Sequence, residues 1–171
     1  AVTTPKVALQ AHRCRFIDWV PDGIESLAWS KDGTLLAVGR KQGTIEVLSA
    51  SAGFFRTHEF ASLDPVAAES DASSSTSPSS PNTRALAWGP NDRLFSSGTS
   101  GLISEWSLST LSRKQVATSY GGAVWGLATS SSQKLLAAAC EDGAVRLFAL
   151  FNEIAGQDSI ELVTTFSRRQ G

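Results

Sequence analysis

One pattern is written three times in the 171 residues: an apolar stretch, a small turn, a second apolar stretch, and a glycine opening a third that ends in a large hydrophobe. The first copy reads Ile24-Glu25-Ser26-Leu27-Ala28-Trp29, Leu35-Leu36-Ala37-Val38-Gly39 and Gly43-Thr44-Ile45-Glu46-Val47-Leu48. The second reads Thr83-Arg84-Ala85-Leu86-Ala87-Trp88, Leu94-Phe95-Ser96-Ser97-Gly98 and Gly101-Leu102-Ile103-Ser104-Glu105-Trp106. The third reads Val124-Trp125-Gly126-Leu127-Ala128-Thr129, Leu135-Leu136-Ala137-Ala138-Ala139 and Gly143-Ala144-Val145-Arg146-Leu147-Phe148. A repeat of about 40 residues made of short apolar segments marks a radial or solenoid architecture, because one such unit cannot bury its apolar face alone.

The segments have strand spacing. Leu27 and Trp29, like Leu86 and Trp88, alternate with alanine, which puts the large side chains on one face of a strand. Lys31-Asp32-Gly33, Pro90-Asn91-Asp92 and Ser130-Ser131-Ser132 supply turns. Gln42-Gly43, Ser100-Gly101 and Asp142-Gly143 supply hairpins in which glycine accepts a positive φ. In the third strands Ile45 and Val47 alternate with Glu46, and Val145 and Leu147 with Arg146, so the apolar members are expected inside. Three such strands plus one connecting strand make a four-stranded antiparallel unit, and the fold class is all-β.

The step from Leu86 to Leu127 is 41 residues, but that from Leu27 to Leu86 is 59. The excess has its place in the stretch Ser70-Asp71-Ala72-Ser73-Ser74-Ser75-Thr76-Ser77-Pro78-Ser79-Ser80-Pro81, which buries too little apolar surface to offset the entropy of ordering it. Residues 62–82 are therefore read as a disordered serine-rich loop inside the array. Ser77-Pro78 and Ser80-Pro81 suit either proline-directed phosphorylation or a plain solvated linker.

These units resemble WD40 repeats, and the chain is identified as about three blades plus flanking strands of a WD40 β-propeller. The blades are placed at about 22–50, 83–108 and 122–150. The terminal tryptophan of the repeat falls on Leu48, Trp106 and Phe148, and the aspartate after it on Ser49, Ser107 and Ala149. Only Asp142 keeps the aspartate before the glycine. With the usual Asp-His-Ser/Thr-Trp network incomplete, the blades are expected to hold mainly by apolar packing. Residues 12–20 read as the strand that completes the last blade of a closed ring, and 160–167 as the start of the next blade. On this reading the chain is the N-terminal portion of a longer propeller.

Four ordered blocks are similar to the cirhin family: His12-Arg13-Cys14-Arg15-Phe16 with Val20-Pro21-Asp22-Gly23-Ile24; Arg84-Ala85-Leu86-Ala87-Trp88 with Arg93-Leu94-Phe95-Ser96-Ser97-Gly98; Gly121-Gly122-Ala123-Val124-Trp125; and Cys140-Glu141-Asp142-Gly143-Ala144-Val145-Arg146-Leu147-Phe148. The resemblance implies a nucleolar, non-catalytic scaffold. It would act in the early, transcription-linked subcomplex of the small-subunit processome, on the 5′ external transcribed spacer of pre-ribosomal RNA beside the U3 small nucleolar RNA. It implies other WD40 and helical processome proteins as partners, with the pre-rRNA reached directly or through neighbours. The alternative is a generic WD40 adaptor, such as a ubiquitin-ligase substrate receptor or a signalling scaffold.

Nothing in the residues themselves argues for catalysis. His12 and His58 form no HExxH pair, and no GxSxG elbow or GxxxxGK[ST] loop occurs. Gly98-Thr99-Ser100-Gly101 reads as a hairpin, and Asp142 as turn chemistry rather than half of a carboxylate pair with Glu141. Cys14 and Cys140 lack a CxxC pattern and read as buried free thiols. No cofactor, metal or small-molecule substrate is expected. The net charge of −1 gives no field for a membrane surface, and no apolar run reaches the roughly 18 residues of a membrane helix.

A binding module needs less. Residues at the head of each blade's innermost strand face the rim of a propeller, and here they are Glu25, Arg84 and Trp125. Trp125 is either a partner anchor or inter-blade packing; Glu25 and Arg84 are either partner contacts or solvated charges. Arg13 and Arg15 share one strand face, and Arg168 and Arg169 form a second basic pair. Both pairs suit RNA phosphate contact, and the first equally suits an edge-strand guard.

Overall fold

Among the described residues twelve strands run in chain order: β1 Ile24–Trp29, β2 Leu35–Arg40, β3 Thr44–Ser49, β4 Phe55–Ala61, β5 Ala85–Trp88, β6 Leu94–Ser97, β7 Leu102–Ser107, β8 Ser112–Thr118, β9 Val124–Thr129, β10 Leu135–Cys140, β11 Val145–Asn152 and β12 Gln157–Phe166. The computed structural model describes residues 22–61, 82–152 and 156–167. The strands form three antiparallel four-stranded sheets, β1-β2-β3-β4, β5-β6-β7-β8 and β9-β10-β11-β12. These are three blades of a WD40 propeller. A 3₁₀ turn, Pro90–Asp92, lies between β5 and β6. The hairpin glycines take the conformation their positions require, with φ of 88° at Gly43, 73° at Gly101 and 79° at Gly143.

The core lies between the sheets. On the first seam Ala37, Ile45, Val47 and Phe60 of the first blade meet Leu86, Trp88, Leu94 and Trp106 of the second. The Phe60 and Trp106 rings sit 5.3 Å apart, within the range of favourable aromatic pairing. On the second seam Ala87, Phe95 and Ile103 meet Val124, Leu136, Ala138, Cys140, Phe148 and Leu150. Polar bonds fix the stacking. Trp88 Nε1 donates to Ala28 O at 2.9 Å, Ser26 Oγ to Thr83 O at 2.7 Å, and Thr129 Oγ1 to Trp88 O at 2.8 Å. Gly39 is needed at the first seam, since a Cβ there would lie within 3 Å of Ser26 Oγ and of Thr83.

Position within the array sets exposure. Leu86 and Trp88 are buried against the first blade, whereas their equivalents Leu27 and Trp29 lie on a face with no described neighbour and are more than half exposed. The alternation expected for the third strand fails in the third blade for the same reason. Ile103 is buried in the second seam, but its equivalent Val145 faces away from it and is exposed. Arg146 is buried instead, its guanidinium held by both carboxylate oxygens of Asp142.

Three sequence expectations need correction or placement. Residues 160–167 do not start a new sheet: β12 pairs with β11, Val145 opposite Phe166 and Leu147 opposite Thr164, as the outer strand of the third blade. The blades run past their expected ends because β4 and β8 are largely exposed outer strands carrying no apolar run. The strand expected at 12–20 and nearly all of the serine-rich loop at 62–82, with its Ser-Pro pairs, lie outside the described residues, as does Cys14.

Apolar packing is also not the whole account. Trp106 Nε1 donates to Ser96 Oγ at 2.7 Å, so the second blade keeps part of the repeat's polar network. The second seam holds a buried ion pair that the sequence pattern does not announce. Arg93 Nε and Nη2 donate to the two oxygens of Glu105 at 2.9 and 2.7 Å, and both side chains are almost fully buried. Arg93 also crosses the seam to Leu150 O and Ser159 O, while Gln115 and Lys114 reach Glu105 from the outer strand. Burial pushes the Glu105 carboxyl up, but the bonds from Arg93 and Gln115 outweigh it and hold it below the usual glutamate range.

Two measurements check these seams. Trp88→Ala should cost about 3–5 kcal/mol in urea unfolding, through lost packing and an orphaned Ala28 carbonyl, whereas Trp125→Ala, at an exposed position, should cost at most about 1 kcal/mol. Arg93→Ala should cost about 3 kcal/mol by leaving the buried Glu105 with only Lys114 and Gln115 to hold it and two carbonyls across the seam without their donor. Because the folded pKa of Glu105 is depressed, its contribution is present above the unfolded value of about 4.3 and is lost as pH falls through the folded one. Glu105→Gln should therefore flatten the acid limb of stability against pH.

Candidate partner-binding row

The three rim candidates occupy one structural position. Counting back four residues from Trp29, Trp88 and Thr129 gives Glu25, Arg84 and Trp125. In the first blade the pairing runs Ile24 opposite Arg40 and then Ser26 opposite Gly39, so Glu25 is skipped. In the third it runs Val124 opposite Cys140 and then Gly126 opposite Ala139, so Trp125 is skipped. Arg84 stands just ahead of β5, whose ladder begins with Ala85 opposite Ser97. A residue outside the ladder is free of the strict in-and-out alternation, and bulges commonly re-aim a side chain in this way.

The re-aimed side chains meet. Arg84 Nε lies 3.3 Å from Glu25 Oε2, and the Arg84 guanidinium carbon lies 5.8 Å from the centre of the Trp125 ring. Both the Trp125 residue and the Arg84 side chain are roughly half exposed, whereas the Glu25 side chain is mostly covered. The Glu25 contact is an ion pair without hydrogen-bond geometry, and its closed-off Oε2 accepts no hydrogen bond. The three blades thus contribute an acid, a base and an aromatic ring to one continuous row. Trp125 meets Arg84 across the boundary between the second and third blades while about half of it stays exposed, and neither Glu25 nor Arg84 is a lone solvated charge.

The loop beside the row is firmly built. Tyr120, between β8 and β9, is exposed and sits in the left-handed region at φ 59°. Ser119 Oγ bridges the loop to Gly122 O at 2.7 Å, and Asp142 N donates to Gly121 O. Gly121 has no room for a Cβ, because the Arg146 guanidinium fills that place. Arg146, with the Ala144 backbone N–H, holds the Asp142 carboxyl down to about 2. Asp142 is thus the turn residue its sequence context implies, with an added ion pair. Tyr120 escaped the sequence reading, although the only tyrosine in the chain followed by two glycines was a usable signal.

The opposite end offers less. A recess of about 920 Å³ lies there between the second and third blades, lined by Lys134, Leu135, Leu150, Phe151 and Asp158 among others. Its carboxylate is already engaged, Asp158 taking Lys114 at 2.9 Å. Among the described residues no group of three or more His, Cys, Asp or Glu is placed to hold a metal ion. The basic candidates Arg13, Arg15, Arg168 and Arg169 lie outside the described residues.

The chain matches the family model described as Anaphase-promoting complex subunit 4 WD40 domain over residues 17–67, and WD domain, G-beta repeat over residues 113–148. It is 34% identical over 161 residues to the U3 small nucleolar RNA-associated protein 4 homolog of Homo sapiens, covering 94% of this chain and 21% of that protein. It is 28% identical over 157 residues to the U3 small nucleolar RNA-associated protein 4 of Saccharomyces cerevisiae, covering 84% of this chain and 18% of that protein. The chain spans about a fifth of the length of these curated relatives. Among solved structures, the crystal structure of RRP9 WD40 repeats superimposes with a TM-score of 0.65 at 20% identity, over 91% of this chain and 42% of that one. U3-55K gives 0.64 at 20% identity, with the same coverage. At such identity the likeness speaks for the WD40 fold alone.

If Arg84 and Trp125 interact as placed, a double-mutant cycle with Arg84→Ala and Trp125→Ala should return a coupling of about 0.5–1 kcal/mol. Zero coupling would mean that the two side chains do not meet in solution.

Proposed function

We propose that this chain belongs to a non-catalytic WD40 scaffold of nucleolar ribosome biogenesis, acting in early pre-18S rRNA processing as the small-subunit processome assembles on the 5′ external transcribed spacer. The supporting observation is similarity that runs along 94% of the chain to a protein named for association with the U3 small nucleolar RNA. That likeness takes in the segments between blades as well as the blades, where a shared fold alone would dictate little. A fold by itself does not imply a function, and it is this continuity that favours the reading over WD40 proteins at large.

The geometry is of the kind a scaffold uses. Rigid sheets carry a solvent-facing row of recognition residues, and partners meet a surface instead of a catalytic cleft. On this reading the principal partners are other WD40 and helical proteins of the processome, with the pre-rRNA reached directly or through them. The match of residues 17–67 to the Anaphase-promoting complex subunit 4 WD40 domain favours a second reading, an adaptor of ubiquitin-ligase type. That match takes in under a third of the chain and leaves the second and third blades unaccounted for.

The full-length tagged protein should concentrate in nucleoli and co-purify U3 small nucleolar RNA together with 5′ external transcribed spacer fragments. Its depletion should lower 18S rRNA and accumulate the uncleaved precursor, with large-subunit rRNA little changed. Co-purification of ubiquitin-ligase subunits without U3 RNA would overturn the assignment.

A further inference from the structure

We propose that the row Glu25–Arg84–Trp125 is a docking site for a polypeptide segment that presents a carboxylate next to an apolar side chain. This rests on reading the chain as a protein-binding scaffold and adds the chemistry of what is bound. The carboxylate caps the Nη1/Nη2 edge of Arg84, and the apolar neighbour lies on the exposed part of Trp125.

Arg84 makes few contacts for its hydrogen-bonding capacity among the described residues. A guanidinium has five donors in a planar fork, with one edge at Nε and another at the tip. Glu25 approaches at Nε, at 3.3 Å and without hydrogen-bond geometry. The only other contact described for this group is the face of Trp125. Among the described residues the tip meets no acceptor, and an incoming one would stand on the far side of the guanidinium from Glu25. The aromatic face beneath holds the fork flat and excludes water from one side, which strengthens a bidentate bond.

Arginine, tryptophan and tyrosine are the types that dominate protein–protein hot spots, and here Arg84, Trp125 and Tyr120 are exposed at one end of adjoining blades. Arg84 is already held between Glu25 and Trp125, and Tyr120 stands in a pinned loop, so part of the ordering entropy is spent before binding. Tyr120 holds a left-handed turn backbone, as five other non-glycine residues do among those described.

The charges at this end favour a polypeptide over a nucleic acid. A phosphate backbone is held by several cations at once. Among the described residues, this end offers Arg84 and the exposed Lys41, but Arg40 is engaged by Glu46 and Arg146 by Asp142. The carboxylates of Glu25 and Glu141 lie at the same end. One free guanidinium tip beside an aromatic ring matches a single carboxylate and its apolar neighbour, not a polyanion.

The test uses the full-length protein and two pools of synthetic heptapeptides, one with a fixed central glutamate and one with glutamine there, all other positions randomised. Wild type should retain the glutamate pool about tenfold better than the glutamine pool, as loss of a charge-assisted bond predicts. Retained sequences should carry an apolar or aromatic residue beside the glutamate. Arg84→Gln should abolish the preference and Arg84→Lys should weaken it, while Lys41→Gln leaves it intact and all variants stay folded, melting within about 4 °C of wild type. Equal retention of the pools would overturn the proposal. So would a preference that survives Arg84→Gln, or an Arg84-dependent retention of oligouridylate in place of peptide. If the peptide preference holds while U3 RNA fails to co-purify, the docking site stands and the ribosomal assignment falls.

Discussion

Trp88 is where the described blades meet. Its indole donates to a carbonyl of the first blade, its ring fills the first seam, and its own carbonyl accepts the Thr129 hydroxyl of the third. An isolated four-stranded sheet with two apolar faces has no stable existence in water, so each blade is defined by what lies against it. Core membership therefore belongs to the pair of blades. Leu86 is core and Leu27 is surface, though the two occupy the same place in their repeats.

The two seams solve this problem differently. The first is largely apolar and aromatic, joined by three side-chain bonds to carbonyls, from Ser26, Thr83 and Trp88. The second adds Arg93, which spends its donors on Glu105 within its own blade and on two carbonyls across the seam. Burying such a pair is expensive, and it is tolerated here because nearly every donor and acceptor is satisfied. Apolar surfaces tolerate small slips along each other, while a guanidinium bonded to Leu150 O and Ser159 O does not. The charged seam thus sets the registry of the third blade on the second.

Much of this was readable from the chain because short-range rules dominate it. The turn glycines, the strand alternation in the first blade and the repeat period all follow from local stereochemistry. Local rules also picked out the rim residues Glu25, Arg84 and Trp125. What escaped was non-local. That Arg146 is buried and Val145 exposed depends on which face of the third blade has a neighbour. Glu105 sits in a strand like many others, and its burial follows only once Arg93 is known to stand twelve residues back across the sheet. The outer strands β4, β8 and β12 are signalled poorly because pairing rather than hydrophobicity places them. That the three rim side chains touch required the register shifts, which no pattern of residue types reveals.

Those register shifts have a consequence for how such a protein can change over time. A residue inside a ladder answers to its cross-strand partner and to the sheet behind it, so substitutions there are filtered by folding. The position held by Glu25, Arg84 and Trp125 answers to neither. It accepts an anion, a cation and an indole in three successive copies of one scaffold. Selection for a partner can act on that slot while selection for foldability acts elsewhere, and a new specificity can be written there without redrafting the blade that carries it.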